Sequence, residues 1–135
     1  MATAPTFPNG IVSLKTNIVT ANANNWITMY NNSAQSPVRV ESLNVCSNDS
    51  NTVNIQFGIS DGNTTFLLGT ARALTLSGTD GATSRVNALN YVGTTASDSI
   101  QVIELAPGSI LQTRSLANVT ATKLVTVTGW GRTYA

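Results

Sequence analysis

Six carboxylates, Glu41, Asp49, Asp61, Asp80, Asp98 and Glu104, are the residues of this chain best suited to acid–base work. Two of them facing each other across a groove would be the machinery of glycoside hydrolysis. The four aspartates stand beside Gly, Asn or Ser in polar clusters, where an Asp side chain ordinarily accepts the N–H groups of a turn. Only Glu41 and Glu104 fall in stretches that read as strands. There is no histidine, which removes the commonest general base, metal ligand and pH switch together. A serine or threonine nucleophile would then need Lys15 or Lys123 as its base, and neither lysine stands in a Ser-Lys motif. Oxygen ligands for calcium are present at Ser47-Asn48-Asp49 and at Asp61-Gly62-Asn63, but without the alternating acidic spacing of a calcium loop. The single cysteine, Cys46, excludes an intrachain disulfide and a cysteine-rich zinc site. At the end of an apolar run it reads as a small buried hydrophobe. No catalytic residue, cofactor or metal is expected, and the chain is read as a non-enzyme.

Binding is the other chemistry to consider. Trp26 and Tyr30 are spaced i, i+4, which on a strand puts both rings on one face. Beside free amides such a pair would suit a sugar; packed away, it would serve the core or a subunit interface. Trp130, between Gly129 and Gly131, reads as an interface residue or the mark of a strand bend. Arg39 and Glu41, two residues apart, are expected to form a solvated pair on one strand face. Sequons begin at Asn31, Asn48, Asn63 and Asn118, and in a chain this rich in Asn, Ser and Thr they carry little weight.

The elements that must position these residues are strands. Val53, Ile55, Phe57 and Ile59 alternate with Asn54, Gln56 and Gly58, so one face is apolar and the other amide-rich. In Val38–Cys46 the phase slips between Val38/Val40 and Leu43/Val45; a β-bulge near Glu41-Ser42, or burial on both faces, would account for it. The polar link Ser47–Asn51 between these runs predicts a β-hairpin over 37–60. Further strands are expected over 11–20, 26–30, 64–76, 99–105, 109–115 and 123–132, with a helix and a strand competing over 85–92. Asp61-Gly62 and Pro107-Gly108 mark tight turns, the latter of type II character. Short strands at roughly ten-residue spacing predict an all-β fold, an antiparallel β-sandwich of jelly-roll type over 11–135.

Residues 1–10 hold Pro5, Phe7 and Pro8 and read as an extended N-terminal arm, either a frayed tail or a segment lying on a neighbouring subunit with Phe7 as its anchor. They have neither the basic nor the apolar region of a secretory signal, and no apolar run approaches the length of a membrane span. Charged residues make up 10% of the 135, far below the roughly 25% of an average soluble domain. A net charge of +1 gives no field for nucleic acid, while near-neutral surfaces favour self-association. No nucleic acid and no membrane partner are expected.

The order is a proline-bearing arm, then VRVESLNVCSNDSNTVNIQFGIS, a leucine-rich strand, VNALNYV, ELAPGSILQTRS and a closing LVTVTGWGR. It resembles the small β-sandwich proteins of tailed bacteriophages that decorate or cement capsids, with Leu105–Leu111 matching their Leu-x-Pro-Gly-x-x-Leu turn, Ala106 standing at its first variable position. The resemblance implies a structural virion protein, commonly a homotrimer, assembled in the host cytoplasm. It would sit on the outer capsid surface and contact the major capsid protein. A glycan- or receptor-binding module of a phage tail or fibre is the alternative. Partner contacts are expected at Pro5, Phe7, Pro8, Trp26, Tyr30 and Trp130.

Overall fold

A computed structural model describes residues 8–33, 36–95 and 100–134. Its main strands are β1 (Pro8–Ile18), β2 (Ile27–Asn31), β3 (Val38–Ser47), β4 (Val53–Ser60) and β5 (Thr65–Ala73). The short β6 (Val86–Asn87), the one-turn helix α1 (Leu89–Val92) and the short β7 (Thr94–Thr95) follow, then β8 (Gln101–Leu105), β9 (Ile110–Ser115) and β10 (Val125–Tyr134). The competition between helix and strand at 85–92 is resolved by both, in succession.

Antiparallel pairing joins β1 to β10, β2 to β9, β3 to β8 and β4 to β5. The chain is thus one long ribbon doubled back on itself, with β4–β5 at the fold. Two more pairings, β10 with β3 and β4 with β9, stitch the ribbon into two sheets. Sheet A runs β1-β10-β3-β8-β7, with β6 added to β3, and sheet B runs β2-β9-β4-β5. Their inner faces share one core, from Leu14, Val40, Leu43, Val45 and Val127 of sheet A to Ile55, Phe57, Ala71 and Leu111 of sheet B.

The segment 37–60 is not a hairpin. β3 lies in sheet A and β4 in sheet B, so the link between them crosses the sandwich. Alternation made each strand legible, but it does not distinguish a strand paired beside its predecessor from one packed opposite it. Both satisfy one dry face. The hairpin is the next connection, β4–β5, where Gly62 takes φ of 100° and Asp61 Oδ1 accepts the Asn63 and Thr64 N–H groups at 2.9 and 2.8 Å. The turn at 106–109 likewise joins strands of different sheets; Gly108 has φ of 88° and Ser109 N donates to Ala106 O at 3.0 Å, as a type II turn requires.

The bulge in β3 is where the phase slip puts it. Trp130 faces Ser42 and Gly131 faces Val40, so Glu41 is the extra residue and both apolar pairs of β3 point inward. The strand also begins earlier than expected at the N-terminal end: Pro8 pairs with Tyr134 and Gly10 with Thr133, placing 8–10 in β1 and outside any free arm. Proline is tolerated there because it is the first residue of an edge strand.

Candidate functional site

The outer face of sheet A gathers aromatic and charged side chains at one end. β10 contributes Trp130, Arg132 and Tyr134, alternate residues of its outward row; β3 contributes Arg39 and Glu41; β8 contributes Glu104. Arg39 and Arg132 sit directly opposite each other across β3 and β10. Like charges so placed repel, and each is matched by a glutamate. Arg39 Nε lies 2.7 Å from Glu104 Oε1, and Arg132 Nε lies 3.2 Å from Glu41 Oε2 without the alignment of a hydrogen bond. The bulge makes the second match possible, since it turns Glu41 outward beside β10. The pair expected between Arg39 and Glu41 is therefore displaced by two cross-strand pairs. Each is partly exposed and contributes no more than about 1 kcal/mol.

The rings are tied into the same network. The Tyr134 hydroxyl donates to Glu41 Oε1 at 3.3 Å, and the Arg39 guanidinium stands 5.7 Å from the Tyr134 ring centroid. The Arg132 guanidinium stands 5.3 Å from the Trp130 ring centroid. Trp130 is 38% exposed, and with Arg39, Glu41, Ile100 and Val102 it lines a shallow hollow of about 200 Å³. Ile11, the cross-strand neighbour of Arg132 on β1, is 78% exposed. The patch is charge-balanced, ringed by arginine and aromatic side chains, and apolar at its centre.

Trp26 and Tyr30 do not share a face. The register slips between Thr28 and Tyr30, so Tyr30 pairs with buried Leu111 and packs against the core. Trp26, just before β2, covers the outer face of sheet B over Gly58, where an added Cβ would come within 3.1 Å of its Cη2. Arg114 stands 4.4 Å from the Trp26 ring centroid and donates to Gln56 Oε1 at 2.9 Å. Neither ring is an open platform for a sugar. Pro5 and Phe7 lie outside the described residues, as does Asp98, and Pro8 opens β1.

The carboxylates weighed for catalysis or calcium are engaged otherwise. Glu41 and Glu104 are held by arginines, as above. Asp61 and Asp80 accept turn N–H groups from Asn63 and Thr64 and from Ala82 and Thr83. Asp49 is fully buried and accepts from Thr120 N, Thr120 Oγ1 and Asn51 N. Among the described residues no group of three or more Cys, Asp or Glu side chains is placed to hold a metal ion. Of the patch, Arg132, Tyr134, Ile11, Ile100 and Val102 were missed from sequence. The period-2 row Trp130, Arg132, Tyr134 would have given the first two; Ile100 has no such signal.

No protein-family model and no curated protein matches this chain. Among the solved structures similar to it are two crystal structures of a pentameric capsid protein isolated from metagenomic phage sequences. One is 24% identical, with a TM-score of 0.41, over 90% of this chain and 59% of that one. The other, solved by iodide SAD phasing, is 23% identical, with a TM-score of 0.39, over 90% of this chain and 67% of that one. This chain thus spans less than two thirds of the first. Likeness at this level transfers neither assembly nor role.

Proposed function

We propose that this chain is a structural virion protein without a catalytic step: a decoration or cement protein seated on the outer surface of a phage head, bracing contacts between major capsid subunits. The observation that carries the reading is the pairing order. Strands β1 with β10, β2 with β9, β3 with β8 and β4 with β5, divided between two facing sheets, support reading the sandwich as a jelly roll. That architecture recurs in viral capsid and lectin domains. Fold analogy alone does not assign a role, and the surface supports the first of the two. A lectin-like module needs a bare ring beside free polar groups, whereas Trp26 is capped by Arg114 and Tyr30 faces the core. The Trp130 patch has the aromatic and arginine content of a protein–protein contact, with its charges already matched.

Binding the assembled shell and not the free subunit is what makes a cement protein stabilising, by mass action. The major capsid protein is its partner in this reading, alongside further copies of the chain, in the order of a homotrimer, on virions assembled in the host cytoplasm. The test is co-sedimentation of the purified protein with expanded heads and, separately, with free major capsid protein. Binding to heads alone is expected, and Trp130→Ala should weaken it by about tenfold or more while leaving the thermal unfolding midpoint near that of the parent. Equal binding to free subunits would remove the cement reading. Glycan-array binding by the isolated protein would favour the tail or fibre alternative. Native mass measurement distinguishes a trimer from a pentamer.

A further inference from the structure

On the side of the sandwich away from β1, the edge of sheet B (β5) and the edge of sheet A (β8 and β7) leave a groove beside α1. It has a volume of about 220 Å³; Ile59, Leu68, Val92 and Ile103 supply apolar lining, and Thr94 and Glu104 polar lining. Phe66, the cross-strand neighbour of Ile59, and Tyr91, the neighbour of Val92, are each 59% exposed beside it. We infer that this groove receives Phe7 from a second copy of the chain. The inference rests on the self-assembly proposed above and names the surface that performs it.

The occupant is argued from chemistry and reach. Residues 1–7 carry no charged side chain, and Phe7 is their one aromatic, held in Pro5-Thr6-Phe7-Pro8. Proline removes backbone donors and limits the conformations the segment must surrender on docking, so it favours side-chain insertion over strand pairing. Pro8 pairs with Tyr134 at the β1 edge of sheet A, and the groove lies at the opposite edge. Three inter-strand steps from β1 to β8 amount to about 14 Å, whereas the Phe7 Cα is one step of about 3.8 Å from that of Pro8. Phe7 cannot fill the groove of its own chain. A donor at one edge and an acceptor at the other make a head-to-tail contact, the kind that closes into a ring.

The test uses the full chain with Cys46→Ser, Thr6→Cys and Thr94→Cys, which keeps the Phe7 ring, oxidised and run without reductant. Covalent multimers up to the size of the native assembly are expected, while Thr94→Cys alone in the Cys46→Ser background should stop at dimers. A disulfide within one chain, or none, overturns the inference. Phe7→Ala should weaken self-association about thirtyfold in sedimentation, and an unchanged assembly overturns it equally. Head binding by the unsubstituted protein is read separately. A failed cross-link with intact head binding removes the docking alone, and intact cross-links without head binding remove the virion reading alone.

Discussion

Gly129→Ala is expected to destabilise the protein by at least about 3 kcal/mol, a fall of roughly 10 °C in Tm. In β10 the inward row reads Val125, Val127, Gly129, Gly131, so the two glycines occupy positions where core side chains would otherwise stand. The reason is the β3 bulge. With Glu41 inserted, the β3 backbone presses against β10, and a Cβ on Gly129 would come within 2.1 Å of Ser42 O and 3.2 Å of Leu43 Cα. One on Gly131 would come within 2.6 Å of Arg39 O. Backbone oxygen cannot rotate aside as a side chain can, and β3 and β10 are both interior to sheet A, so relief means parting two strands. Gly62→Ala supplies the control. Nothing lies within 4 Å of that site, and only the positive φ opposes a side chain, at about 1 kcal/mol. Denaturant unfolding of both variants decides. Equal losses would mean that the close approach of β3 to β10 is not what demands glycine.

This bulge also shows how far the sequence could be read. The phase slip in Val38–Cys46 and the Gly-Trp-Gly of β10 are two halves of one feature, and each was visible in sequence. What could not be read was that they meet, because strand alternation carries no record of its partner. The same blindness turned β3 and β4 into a hairpin and put Trp26 and Tyr30 on one face, since a slip after Thr28 leaves no mark in the sequence WITMY. The site fared similarly. Trp130 was singled out for its flanking glycines, but its companions Arg39, Glu41 and Glu104 come from two other strands and are brought together only by register. Asp49 was the largest miss. In a stretch of Ser, Asn and Asp it looked like any turn aspartate, and the segment that buries it arrives from 71 residues away.

Asp49→Asn is expected to cost about 2 kcal/mol at neutral pH, and the loss should fade in acid. The Asp49 carboxylate ties the crossing between sheets to the segment before β10. Thr120 N donates to Oδ2 at 2.7 Å, while Thr120 Oγ1 and Asn51 N donate to Oδ1 at 2.8 and 2.9 Å. Its own backbone extends the junction, with Leu76 N donating to Asp49 O at 3.1 Å. Asparagine keeps the shape but turns a donor toward Thr120 N or withdraws an acceptor from it. Burial pushes the Asp49 pKa up, but the Thr120 and Asn51 hydrogen bonds and the nearby Lys123 charge outweigh it, and the carboxyl lies below its ordinary value of 3.8. A carboxyl lowered in the folded state contributes stability above its unfolded pKa and loses it as pH falls through the folded one. The parent should therefore hold its stability from neutral pH down to about pH 4 and lose it below. Asp61 and Asp80, lowered by their turn N–H groups, fall in the same window, so the variant should keep a shallower acid limb. The two stability curves should converge as pH drops, because protonation does to the parent what the substitution has already done. Parallel curves from neutral pH to pH 2 would place the stabilising contact elsewhere than on the charged carboxylate.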